Sequence, residues 1–270
     1  NIAIGSGAFD AAVDDESWNV AIGVNAMGAC DQGSHASADI DDNVAIGYNA
    51  LLGGDLGSGN VNVTQNVVVG YNAMDGTGSV GGNNNVFMGA YSGGGSWAAE
   101  SNWNVAVGHN TMTGALNDAD NNTAVGTAAL QALTTGDKNI AIGASSHYQQ
   151  TTGSENIAIG YDSLGSADAG EGGNVVIGNE AGNAINNSGA DYNVIIGISA
   201  GQGGTGAMAD CIAIGRDAMK STSTSGQTGT IAIGTRALED LTSGTGNIGI
   251  GYLALANSTT NEGNVAIGYN

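Results

Sequence analysis

The sequence predicts an all-β chain, a parallel β-solenoid (β-roll) of about 15 coils of 17–24 residues, and three observations lead there. First, a five-residue phrase, plainest as Asn264-Val265-Ala266-Ile267-Gly268, recurs with its glycine at 5, 23, 47, 70, 89, 108, 126, 143, 160, 178, 197, 215, 234, 251 and 268. That is one copy per about 18.8 residues, and self-similarity at a short period marks one supersecondary unit stacked on itself. Second, the residue three before the glycine is always Val, Ile or Thr, and the residue one before it is Ile or Val except at Met88. β-branched side chains two apart suit one face of a pleated strand, and five residues are too few for a helical period. Third, 48 glycines, no proline and 11% charged residues in 270 fit neither an ordinary enzyme nor a disordered tail.

Each copy justifies one strand and one turn. Asn139, Ile140, Ile142 and Gly143, then Asn156, Ile157, Ile159 and Gly160, then Asn264, Val265, Ile267 and Gly268 state the repeat most clearly. The leading Asn is present in thirteen of fifteen copies, with Cys211 and Thr230 as the exceptions. Asn stacked on Asn predicts a ladder of side-chain amide bonds along the solenoid. The glycine predicts either a positive φ or a close approach of neighbouring backbone, and the Ala, Ser or Thr three residues later also predicts close approach. A Leu or Met commonly follows, as at Leu51, Met74, Leu130 and Leu238, before a polar return such as Thr134-Thr135-Gly136.

The middle strand position is never polar: it is Ala in most copies and Val68, Phe87, Val176 or Ile195 in others. Strands apolar on both faces imply that both faces are covered. The expectation is that one face looks into the coil, while the stripe carrying Val68, Phe87, Val176 and Ile195 is closed by another copy of the chain, because long exposed apolar stripes are usually interfaces.

The longest intervals, 24 residues before Gly47 and 23 before Gly70, place loop insertions within residues 24–65. Insertions in repeat proteins collect on one face and often bind. Candidate binding residues there are His35, Asp39, Asp41, Asp42 and Asp55, with neutral decoration an equal reading, joined by Trp97 and Trp103 in or beside a later glycine-rich stretch, where Trp packing its own loop is the preferred reading. Charge is one-sided, 25 Asp and Glu against 4 Lys and Arg, for a net of −21. That sign opposes nucleic-acid binding and suits solubility and resistance to lateral clumping. Ca²⁺ on stacked Asp and Asn is a weaker alternative, since hard oxygen ligands suit it but no EF-hand or Gly-Gly-x-Gly-x-Asp nonapeptide occurs. No other cofactor is implied.

No run approaches eighteen apolar residues, so no inserted span is expected in this segment. The chain opens and closes inside a copy and reads as one repeat domain, 1–270, excerpted from a longer protein. Catalytic chemistry is not expected: His35, His109 and His147 are too far apart along the repeat to share a site, and no Cys-x-x-Cys, His-Glu-x-x-His or phosphate loop occurs. Cys30 and Cys211 lie nine to ten coils apart, some 45 Å at about 4.8 Å per coil. A disulfide between them within one chain is therefore excluded, its Cα limit being about 7 Å, and Cys211, in an Asn slot, is expected as a buried thiol.

The phrase Asn-x-Ala-Ile-Gly-x-x-Ala resembles the head repeat of trimeric autotransporter adhesins, and longer copies such as residues 122–136 resemble the repeats of phage tail fibres. The resemblance covers the whole chain through a short motif and implies a left-handed β-roll in a homotrimer. It implies a fibre shaft or host-attachment protein, outside the cell as a virion fibre or cell-surface adhesin, that presents loops to a host receptor or glycan. A self-assembling extracellular filament or matrix protein is the alternative. An ice- or surface-binding solenoid fits less well, since flat rows of Thr are missing.

Overall fold

The computed structural model describes residues 1–11, 16–30, 39–53, 62–167, 170–203, 206–221 and 226–270. They fall into two compact units, Asn1–Asp137 and Lys138–Asn270. In the first, the repeat strands are Ile2–Ile4, Val20–Ile22, Val44–Ile46, Val67–Val69, Val86–Met88, Val105–Val107 and Thr123–Val125. In the second they are Ile140–Ile142, Ile157–Ile159, Val175–Ile177, Val194–Ile196, Ile212–Ile214, Ile231–Ile233, Ile248–Ile250 and Val265–Ile267. Each strand occupies the three residues before its glycine, as the periodicity predicts. Within each unit every strand pairs in parallel with the strand of the next copy, in register, for example Ile157↔Val175, Ala158↔Val176 and Ile159↔Ile177. The fold is a parallel β-solenoid, and no helix occurs among the described residues.

Two short parallel pairs decorate it. Ile40–Asp41 pairs with Val63–Thr64, and Met208–Ala209 with Gln227–Thr228. Both sit just ahead of a repeat strand and continue its pairing backwards.

The backbone of the turn explains the residue choices after the strand. The motif glycines lie at φ near +135, Gly160 at +138, and a Cβ on Gly160 would come within 2.6 Å of the Gly178 carbonyl carbon of the next coil. Glycine is thus required twice over, by conformation and by space. Two and four residues later the chain is again left-handed, as at Asp162 (φ 51) and Leu164 (φ 52). The second of these side chains is buried, as for Met27, Leu51, Met74, Met112, Leu130, Leu164, Met219 and Leu238. A buried apolar side chain at positive φ cannot be β-branched without severe strain. The strand positions use Val and Ile, and this position uses Leu and Met.

The middle strand residue corrects one expectation. Val68, Phe87, Val176 and Ile195 are fully buried inside the coil, so they are not an exposed stripe left for another copy to cover. Three of them are large because the left-handed slot of the same coil is glycine. A Cβ on Gly93 would lie 2.6 Å from the Phe87 ring, on Gly182 3.2 Å from Val176, and on Gly201 3.1 Å from Ile195. Side-chain volume is exchanged between two positions of one narrow core. The outward face of the sheet consists instead of the flanking Val and Ile residues, which are half-exposed along most of both units.

Candidate functional site

Between the terminal copies, the Asn that opens a strand is buried and hydrogen-bonded along the stack, the slots of Cys211 and Thr230 excepted. Asn104 Oδ1 accepts the Asn122 backbone N–H at 3.0 Å and the Asn122 Nδ2 at 3.1 Å, while Asn104 Nδ2 donates to Asn85 Oδ1 at 3.2 Å and to the Ala119 carbonyl at 2.8 Å. The same pattern links Asn43, Asn66 and Asn85 in the first unit and Asn156, Asn174 and Asn193 in the second. One amide thereby closes a backbone donor and a backbone carbonyl that the turn leaves over, satisfying groups that would be costly to bury alone. Asn139 and Asn156 belong to this ladder.

A second ladder, not anticipated from sequence, runs two residues earlier. Asp41 Oδ1 accepts the Ser17 N–H at 2.6 Å, Asp120 Oδ1 the Asn102 N–H at 2.7 Å, Asp137 Oδ1 the Asp120 N–H at 2.8 Å, and Asp191 Oδ1 the Gly172 N–H at 2.8 Å. Some of the acids in the returns therefore have backbone partners, whereas Asp39 and Asp42 are exposed. Burial raises the Asp120 carboxyl above its usual range, partly opposed by the Asn102 N–H and reinforced by Asp118 and Asp137. Among the described residues no group of three His, Cys, Asp or Glu is placed to hold a metal ion.

The remaining candidates separate. Trp97 is buried, donating Nε1–H to the Gly93 carbonyl at 2.9 Å and meeting the Phe87 ring edge to face at 5.9 Å. It packs its own loop. Trp103 is exposed. His35 and Asp55 lie outside the described residues. His147 occupies a left-handed core slot, fully buried, and neither ring nitrogen has a hydrogen-bond partner. Burial pushes its pKa down to about 3; the Gln150 amide lies close enough to oppose this in part, but it makes no well-formed hydrogen bond to the ring and is itself buried without a partner. Cys30 and Cys211 are free and buried, and burial raises their thiols to about 12 and about 11, so neither is a reactive nucleophile.

The most distinctive surface is the outward face of the sheet. Its columns are the residues three before, one before and one after the glycine. Across the fifteen copies they contain no Asp or Glu, one His (His109) and one Arg (Arg216), in a chain of net charge −21. The strand columns are Val and Ile apart from Thr123 and Met88. The third column adds aromatics. Tyr48 stacks on Tyr71 at 5.2 Å, and Tyr91, one position beyond the column where Ala90 holds its place, bridges Tyr71 at 5.4 Å and His109 at 6.0 Å. Tyr252 and Tyr269 stack in the same way at 5.0 Å. Surface carboxylates were available in number, and none stands here. A long apolar face free of like charge inside an acidic chain is suited to contact with another surface.

No protein-family model, curated protein or solved structure matches the chain.

Proposed function

We propose that the chain is a structural fibre or attachment protein, a virion tail fibre or a cell-surface adhesin, that works outside the cell as a homo-oligomer and has no enzymatic role. The carrying observation is the carboxylate-free Val, Ile and Tyr face. Two acidic chains repel each other except where the carboxylates are missing, so copies can approach along this face, whose apolar side chains gain by being covered. At about 3.3 Å per residue and about 4.8 Å per coil, the face offers roughly 60 Å² per coil. A standard interface of about 800 Å² per partner then takes about thirteen coils. The first unit has seven copies of the motif and the second eight, so neither alone reaches that size and both contribute to the contact. The number three comes from the resemblance to adhesin heads and tail fibres.

The test is mass in solution. Light scattering at micromolar concentration should give three chains, and Ile142→Lys with Ile159→Lys should give monomers that keep the β-sheet spectrum, because both side chains point outward. A monomeric parent chain would overturn the assembly. Particles lengthening with concentration would favour the extracellular filament.

A further inference from the structure

We infer that a notch in the second unit, between Tyr192 and Glu155 and floored by Gly172 and Gly173, binds one ring of a neutral glycan. This rests on the attachment reading above and gives it an address. The two residues that precede the ladder Asn form paired columns up the solenoid, and residues 172–173 are the one place where both are glycine. The columns are thus interrupted for a single coil. The coil before supplies Ser154 and Glu155 and the coil after supplies Asp191 and Tyr192; with Thr152 and Gly170 they line a cavity of about 310 Å³.

Three features decide the ligand. Tyr192 is 69% exposed and lies over Gly173, where a Cβ would come 2.7 Å from the ring. The missing side chain lets an aromatic ring lie across a neighbouring coil with its other face open to solvent, a platform for an apolar face of a sugar. The polar rim is carboxylate and hydroxyl. Asp191 is fixed through its bond to the Gly172 N–H, and Glu155 stands exposed, 3.2 Å from an equally exposed Lys138. Ionised carboxylates accept hydrogen bonds only, so they select a donor-rich ligand such as a polyol. Finally, the net charge of −21 opposes an anionic ligand, and hence a sialylated or sulfated sugar. Exposed Trp18 and Trp103 occupy the column of Tyr192, but Asp42 follows the first, and Asn84 and Asn121 flank the second. Neither has a double glycine beside it.

The experiment titrates the intact chain with glucose, galactose, mannose and N-acetylglucosamine while observing the Gly172, Gly173 and Tyr192 amides by NMR. We expect saturable shifts with at least one sugar at a dissociation constant on the order of 1 mM, weakened at least about tenfold by Tyr192→Ala and unchanged by Trp103→Ala. No shift with any of the four sugars, or shifts that survive Tyr192→Ala, would overturn the site. So would shifts produced only by Ca²⁺ or spermidine, which would make it a cation site. Adhesion of the wild-type chain and of Tyr192→Ala to host cells separates the two readings. Equal adhesion by both would remove the notch and keep attachment, whereas sugar binding without adhesion by either would keep the notch and remove attachment.

Discussion

Coils 156–193 and coils 211–230 of the second unit follow the same backbone path with different side chains at the ladder position. In the first group Asn174 makes four side-chain hydrogen bonds, accepting from Asn193 N–H and Nδ2 and donating to Asn156 Oδ1 and the Ala190 carbonyl. In the second the slot holds Cys211 and Thr230. The Cys211 N–H still reaches Asn193 Oδ1 at 3.0 Å, but its thiol is a weak donor, 3.2 Å from the Ala209 carbonyl and 3.7 Å from that of Gln227. Thr230 Oγ1 and Gln227 Oε1 are buried without partners. Even so, Ile212 remains in register with Ile231 and Ile214 with Ile233. The coil is therefore set by backbone stacking and core packing, and the amide ladder adds stability to a path already fixed.

The largest expected effect tests what both regions share. Gly160→Val and Gly215→Val each place a β-branched side chain at φ +138 and +129, against the backbone of the next coil 2.6 Å away. Each should cost more than about 4 kcal/mol and disrupt its coil. Circular dichroism with urea titration is the check; a mild loss at Gly215 alone would mean that the interrupted region stacks loosely.

Next comes the difference itself. Asn174→Leu leaves the Asn193 N–H and the Ala190 carbonyl buried and unpaired, and should cost about 3–5 kcal/mol. Cys211→Ala should cost about 1 kcal/mol, since the ladder is already open there. Equal losses in urea midpoint would show that the amides are dispensable everywhere.

A smaller effect concerns His147. An imidazole without hydrogen bonds in a slot usually held by Leu or Met is costly, so His147→Leu should raise stability by about 2 kcal/mol at pH 7. The sign of the pH dependence follows from the depressed pKa. The unfolded chain binds the proton near 6.5 and the folded chain near 3, so stability is present above about pH 6.5 and is lost as pH falls toward 3. Asp75, Asp120 and Asp162, raised by burial, work in the opposite direction, relieving a penalty as they protonate. The difference between wild type and His147→Leu, followed by thermal melts from pH 7 to pH 4, isolates the histidine. A difference that does not change with pH would mean the imidazole is hydrated.

Strand positions, parallel stacking and the Asn ladder were legible because each depends on one residue type recurring at one place. The site was less so. From sequence, Val68, Phe87, Val176 and Ile195 looked outward, because alternation alone does not say which face of a doubly apolar strand is inside. The compensating glycines 93, 182 and 201 were visible, and their pairing with the three larger neighbours Phe87, Val176 and Ile195 was the missed signal. The acidic ladder through Asp41, Asp120 and Asp191 was hidden for another reason. Asn, Ser and Thr share its position, and a carboxylate bound to a backbone N–H is indistinguishable in sequence from one facing water.

The smallest effect is a repair. Asn193 Nδ2 donates to the Met208 carbonyl, and the equivalent acceptor one coil on is the Gln227 carbonyl, which Cys211 Sγ already approaches. Cys211→Asn would direct Nδ2 to that carbonyl and to Asn193 Oδ1, and would offer Oδ1 to Thr230, whose buried hydroxyl lacks a partner. The gain is held to about 1 kcal/mol because the strands are paired without it and the thiol already fills the slot. A rise in melting temperature of a few degrees is expected. A fall would show that the slot was shaped to the smaller sulfur side chain, so that Cys211 and Thr230 pack as a matched pair in place of the ladder.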